Sequence, residues 1–250
     1  MDASKKLRVI SKHRVGIDTI DTEAAAKRGI AVRAAAGANA AAVAEHAWAL
    51  ILACAKSVVD VHARMRAGYW DKATHKSLEL RGKTLGLVGI GAIGKRVAEV
   101  GCAMGMRTIA YDPYVSSASP GITLCELSTV LSEADVLSLH CPLTAENRHL
   151  INCQTLAQMR DGAILINTTR GALVEQQALL DALRTGKLRA AGLDTFENEP
   201  VTGTHAFTGV PNLILTPHIG GVTGDAYVSM GTAAARNVLA VLAEAASSAS

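Results

Sequence analysis

Aromatic side chains are scarce: Phe, Trp and Tyr make up 3% of the 250 residues. A core built around rings is thereby excluded. It must be aliphatic, drawn from the Ala, Val, Leu and Ile that dominate a 49% hydrophobic composition. Charge of one sign is equally lacking. The 25 basic and 22 acidic side chains nearly cancel, no basic run occurs, and nucleic-acid binding gains no support. Cysteines are few and irregular. Cys54, Cys102, Cys125, Cys141 and Cys153 form no CxxC pair, which argues against a disulfide frame or a zinc site. They suit small buried positions in a reducing compartment.

Long hydrophobic runs are missing too. The longest, Ala47 to Ala55, falls far short of the roughly 20 residues that span a bilayer. Lys5, Lys6 and Arg8 are not followed by the apolar core of a signal peptide. The expectation is a cytoplasmic protein with no membrane, nucleic-acid or metal site. No internal repeat is present.

What is there is rhythm. From Leu85 onward, short apolar runs alternate with amphipathic stretches. The strand candidates are Leu85–Ile90, Thr108–Tyr111, Asp135–His140, Ala163–Asn167, Ala191–Asp194 and Leu213–Thr216. Helix candidates between them are Ala92–Met104, Glu126–Ser132, Cys153–Met159 and Glu175–Arg184. Such alternation predicts an α/β fold, a doubly wound parallel sheet of the Rossmann type with ligands at the carboxyl ends of its strands. Two regions fall outside the rhythm. Residues 1–36 hold strand candidates at Leu7–Ser11 and Ile30–Val32, and Gly224–Ala245 reads as a helix before a low-complexity tail expected to fray. Ala40–Arg66 reads as one long helix with an apolar face including Trp48, Leu50, Leu52 and Val58. The predicted division is 1–36, 37–223 and 224–250.

The sharpest motif is Gly89-Ile90-Gly91-Ala92-Ile93-Gly94, a GxGxxG between a strand and a helix. Gly89 permits a tight turn, Gly91 lets backbone approach a pyrophosphate, and Gly94 lets helix pack on strand. The first helical amides then face phosphate. Asp112 ends the next strand, eighteen residues after Gly94. A carboxylate there accepts hydrogen bonds from ribose hydroxyls and repels a 2′-phosphate, and Pro113-Tyr114-Val115 supplies no cation for one. The expected cofactor is NAD.

Later strand ends carry polar groups: Asn167-Thr168-Thr169-Arg170-Gly171, then Asp194 with Glu197 and Glu199-Pro200, then Pro217-His218-Ile219-Gly220-Gly221. In a parallel sheet these ends share the cofactor side. Arg170 can pair with a substrate carboxylate. His218 can give a proton to a carbonyl oxygen, with a carboxylate behind it orienting the ring. Taken singly, each has a bland alternative as a surface or turn residue. Successive strand ends beside a dinucleotide turn favour the site.

These motifs, with Val15-Gly16-Ile17-Asp18, Gly37-Ala38-Asn39, Val43-Ala44-Glu45-His46 and His140-Cys141-Pro142-Leu143-Thr144, resemble the D-isomer-specific 2-hydroxyacid dehydrogenases from Leu7 to about Leu242. The resemblance implies an oxidoreductase moving a hydride between NAD and a small (R)-2-hydroxy or 2-oxo acid. It implies Arg170 as the substrate-binding Arg, Glu199 as the partner of the catalytic His, and His218 as the acid/base. Asp194 matches the acid that contacts the nicotinamide carboxamide. Ala92 and Ile93 match the pyrophosphate contacts, and Cys141 and Pro142 lie near the adenosine half. Thr168, Thr169, Gly220 and Gly221 complete the cofactor set, and the Val15-Gly16 backbone matches the substrate-carboxylate loop. It further implies a homodimer through the Ala40–Arg66 region and a substrate lobe, built from both chain ends, that is incomplete here. The competing expectations are an NADH-binding regulator or scaffold, and a fragment that binds cofactor without turnover.

Overall fold

The computed structural model describes Ser4, Lys6–His13, Gly16, Ile17 and Thr19–Ser247, the side chains of residues 245–247 excepted. Two compact units emerge: residues 1–42 with 221–250, and residues 43–220. The breaks expected from the sequence stood at 36/37 and 223/224.

The smaller unit holds β1 (Val9–Lys12), α1 (Thr22–Lys27) and β2 (Ala31–Ala34), with β1 and β2 parallel. Asp21 caps α1 by accepting from the Ala24 amide at 2.8 Å. The C-terminal helix of this unit, Gly224–Ser247, lays small side chains on the pair. Ala226 and Met230 pack with Ala35, and the Asn237 amide donates to the Ala34 carbonyl at 3.0 Å. Its segment Gly224–Glu244 is long and apolar enough to cross a membrane by composition. It nonetheless carries Asp225 and Arg236 and packs on β1 and β2. The tail expected to fray is helical through Ser247, and Ser248–Ser250 lie outside the described residues.

The larger unit opens at Val43 within α2 (Ala40–Lys56), followed by α3 (Val58–Arg66). One continuous helix was expected over these residues. Ser57 breaks it by sitting in the left-handed region at φ 52°, and the two pieces meet at 61°. Trp48 and Leu50, on α2, are buried, so their apolar face packs within the molecule; the indole N–H of Trp48 donates to the Val97 carbonyl. Leu52 and Val58 are exposed.

The sheet follows: β3 (Thr84–Val88), α4 (Ala92–Ala103), β4 (Arg107–Tyr111), β5 (Ile122–Leu124), α5 (Leu127–Glu133), β6 (Val136–Leu139), α6 (Cys153–Gln158), β7 (Ala163–Asn167), a 3₁₀ turn at Gly171–Leu173, α7 (Gln176–Arg184), β8 (Leu188–Leu193), β9 (Leu213–Leu215), then α8 (Gly224–Ser247). Its order is β5-β4-β3-β6-β7-β8-β9, all parallel. The order reverses between β3 and β6, the switch point where such sheets bind ligands.

Alternation along each strand feeds two aliphatic layers. Leu85, Leu87, Val136, Ile164 and Ile166 face the layer under α2 and α4. Val88, Leu137, Leu139 and Leu165 face the layer that includes α5 and α7. Each fully buried Leu or Ile contributes about 2 kcal/mol from removal of apolar area from water. This double burial explains strands that read as apolar runs rather than alternating patterns.

Candidate active site at the carboxyl ends of the strands

The turn after β3 is held by its own backbone. The Gly89 amide donates to the Tyr111 carbonyl at 2.8 Å, with Gly89 at φ 93°. A Cβ on Gly89 would stand 2.7 Å from the Cys141 nitrogen, and one on Gly94 would stand 2.2 Å from the Gly89 carbonyl oxygen. Both positions exclude any larger residue. Gly91, the N-cap of α4, differs: a Cβ there would meet nothing within 4 Å. The open space lies where the first-turn amides of Ala92 and Ile93 have no intrahelical acceptor.

Asp112 follows β4 and faces this turn. Its Oδ2 accepts from the Ile90 amide and its Oδ1 from the Tyr114 amide, both at 3.0 Å. A carboxylate offers about four acceptor sites, so capacity remains for hydroxyl donors. Cys141 lies close enough to Asp112 to feel its charge. Burial first, then that charge, pushes its thiol up to about 11. Asn147 ties the Pro142 carbonyl at 2.7 Å. His140 is buried behind the glycine turn, its Nε2 2.9 Å from the Ser138 hydroxyl, and burial lowers it to about 4. It is a neutral packing group.

The loop after β7 is shaped by Asn167, which is fully buried. Its Oδ1 accepts from the Thr169 amide and hydroxyl, and its Nδ2 donates to the Arg170 carbonyl at 2.9 Å. Arg170 Nη1 donates to the Thr169 carbonyl. A Cβ on Gly171 would lie 1.9 Å from the Phe196 carbonyl carbon, so the Arg170 loop presses directly on the loop after β8.

That second loop delivers Glu199. Its Oε1 accepts from the Phe196 amide at 2.9 Å and its Oε2 lies 2.7 Å from His218 Nδ1. Both side chains are about one-third exposed, at 34% and 39%. Glu197 is engaged elsewhere, by Arg148 and by His149. Of the two glutamates, Glu199 is therefore the one in contact with His218.

His218 itself adopts φ 56°, a left-handed conformation that costs a non-glycine residue about 1 kcal/mol or more. Asp194, 1% exposed, stands behind it. Its Oδ1 accepts from the Thr216 hydroxyl at 2.6 Å and the Ile219 amide at 2.9 Å, and its Oδ2 from the Gly220 amide at 2.8 Å. Burial opposes ionisation of Asp194. The donors from His46, Thr216, Ile219 and Gly220 outweigh it and hold the carboxyl below its usual range. Gly221 packs against Asn39. Gly16 is half-buried in the smaller unit, while Val15 lies outside the described residues.

Residues 48–220 match the family model for the D-isomer specific 2-hydroxyacid dehydrogenase NAD binding domain. The chain belongs to this family. Hydroxypyruvate reductase of Thermotoga maritima is 41% identical over 233 residues, covering 92% of this chain and 76% of that protein. D-3-phosphoglycerate dehydrogenase of Mycobacterium leprae is 41% identical over 244 residues, covering 96% of this chain but 46% of that protein. This chain thus spans less than half the length of that relative. Among solved structures, the TT0316 protein of Thermus thermophilus superposes with a TM-score of 0.89 at 42% identity, covering 98% of this chain and 78% of that one.

The cofactor of this family domain is NAD, and the residues present fit it. Among the described residues nothing comes within 4 Å of a Cβ built on Gly91, and Asp112 keeps acceptor capacity. The buried hydroxyls of Thr168 and Thr195, at the carboxyl ends of β7 and β8, have no hydrogen-bond partner among the described residues. Thr168 was in the expected cofactor set and Thr195 was not. The hydrogen bond between His46 and Thr216, behind Asp194, was not expected either. Their contact joins residues 170 positions apart, which no local pattern reveals.

Proposed function

We propose that the chain is an NAD-dependent oxidoreductase acting on a small (R)-2-hydroxy acid and its 2-oxo partner. The observation that carries this reading is the 2.7 Å His218–Glu199 pair, in loops at the carboxyl end of the same parallel sheet that carries the dinucleotide turn of a family NAD domain. NAD, when bound, exchanges the hydride. The residues supply the rest. His218, held through Nδ1 by Glu199, keeps Nε2 for the proton that passes to or from the substrate oxygen. Arg170 takes the substrate carboxylate in a bidentate pair. Gly89, Gly91, Ala92, Ile93 and Gly94 hold the pyrophosphate. Asp112 takes the ribose hydroxyls, with Cys141 and Pro142 by the adenosine half. Thr168, Thr169, Asp194, Gly220 and Gly221 border the nicotinamide half.

The reading extends to a cytoplasmic homodimer. Five free thiols suit a reducing compartment. Exposed Val58, Val59, Met65, Tyr69 and Trp70, on and just after α3, are the kind of apolar surface that a second copy covers. Light scattering at micromolar concentration tests this: a monomer contradicts the dimer. For the activity, NADH oxidation is followed with glyoxylate, hydroxypyruvate, pyruvate and phosphohydroxypyruvate. Turnover of one or more supports the enzyme. NADH binding without turnover of any supports a regulator instead.

A further inference from the structure

His46 lies on α2, far in sequence from the loops that carry Arg170, Glu199 and His218, and the reaction outlined above gives it no task. Its surroundings are specific. Nε2 is 2.9 Å from the Thr216 hydroxyl and 3.4 Å from Asp194 Oδ1. A Cβ on Gly220 would stand 3.3 Å from its Cδ2. Thr216 and Gly220 flank His218 on either side, two residues away in each direction. The imidazole therefore touches both ends of the loop that presents His218.

The polarity of the contacts is determined by proton counting. Asp194 is ionised and accepts only. Thr216 has one hydroxyl proton, and its 2.6 Å contact with Asp194 uses it. The Thr216 oxygen must then accept from His46, so Nε2 carries a proton. The chain runs His46 Nε2–H to Thr216 Oγ1–H to Asp194 Oδ1, and the same carboxylate takes the Ile219 and Gly220 amides. Consecutive donors of this kind polarise one another and strengthen the set. The object they hold is a strained one: His218 sits at φ 56°, and a left-handed non-glycine residue persists only where its neighbours over-determine it.

We propose that His46 is a positioning residue, which through the Thr216 hydroxyl and Asp194 fixes the loop that aims His218. This rests on the reading of His218 as the acid/base. His46 reaches neither substrate nor cofactor in this account. Its contribution is geometric, and small displacements of a proton donor have large kinetic effects.

The test uses two amides that differ only in reach. In His46→Gln the side-chain N–H stands close to where Nε2 stood. In His46→Asn it falls short. The full chain is assayed with NADH and the 2-oxo acid that it turns over. In parallel, ¹⁵N-histidine spectra are recorded, with the His218 ring signals assigned by their loss in His218→Asn. His46→Gln is expected to keep kcat within about threefold. His46→Asn is expected to lose about tenfold or more in kcat with KM and NADH affinity little changed. Only the Asn variant should shift or broaden the His218 ring signals. Wild-type kcat and wild-type ring signals in His46→Asn overturn the proposal. So does an equal fall in both variants, or a loss confined to melting temperature and NADH affinity. If the wild-type chain turns over none of the acids, the dehydrogenase reading fails, and the ring signals still decide whether His46 sets His218.

Discussion

Gly91 and Gly94 belong to one motif, yet they make opposite predictions. In Gly91→Ala the new methyl meets nothing within 4 Å among the described residues, and the backbone is extended with a negative φ of −66°. Loss of unfolded-state entropy favours the variant by about 0.4–1 kcal/mol, and Ala as a poorer N-cap than Gly costs a similar amount, so net stability moves by less than about 1 kcal/mol. The methyl occupies the space through which a pyrophosphate reaches the helix amides. Overpacking of about 1–3 kcal/mol weakens NADH binding about 5- to 150-fold. Gly94→Ala puts its methyl 2.2 Å from the Gly89 carbonyl oxygen, a backbone atom in a turn tied to Tyr111. That clash costs about 3 kcal/mol or more and lowers the melting temperature by about 10 °C. The assays are NADH fluorescence titration and thermal unfolding of the two variants and wild type. Wild-type NADH affinity in Gly91→Ala would refute the placement of the pyrophosphate. Wild-type melting in Gly94→Ala would refute the close packing of turn and helix.

Arg170→Lys keeps the charge but loses the planar fork. KM for the 2-oxo acid should rise by about 10- to 100-fold with NADH affinity retained, measured by steady-state kinetics and titration. His140 predicts an acid limb in stability. An unfolded His takes up its proton near 6.5, and folded His140 only at about 4, so the native state binds fewer protons between these values. The stability this group contributes is complete above about pH 6.5 and falls away towards pH 4, by up to about 3 kcal/mol. Urea unfolding at pH 7, 5.5 and 4.5 should show a steeper decline for wild type than for His140→Gln, and parallel declines would contradict it.

Much of the fold is legible because burial on both faces writes itself as uninterrupted apolar runs. Ala163–Asn167 reads as a strand and is one end to end, every residue buried. Where burial is partial, legibility drops. β5 is a three-residue strand at the sheet edge and leaves almost no run to read. α1 is only six residues long, and its one local signal is Asp21 before Thr22-Glu23, a cap that accepts from the Ala24 amide. The break at Ser57 was hidden for a different reason. A single left-handed residue interrupts the helix without changing composition, and neither Gly nor Pro marks it. At the candidate site, strand-end position singles out Arg170, His218 and the two glutamates Glu197 and Glu199, because a parallel sheet gathers loops distant in sequence, and the family resemblance chooses Glu199 between the two. The gathering that involves α2 has no such rule. His46 reads as an ordinary helix residue until Thr216 and Asp194 are seen beside it.

The central claim is that His218 moves the proton while the dinucleotide site holds NAD independently of it. The most direct test is His218→Asn compared with wild type in one NADH titration and one turnover assay with the preferred 2-oxo acid. The account predicts NADH affinity within about twofold and a loss of about 10²–10⁴ in kcat. Near-normal turnover by His218→Asn would contradict it.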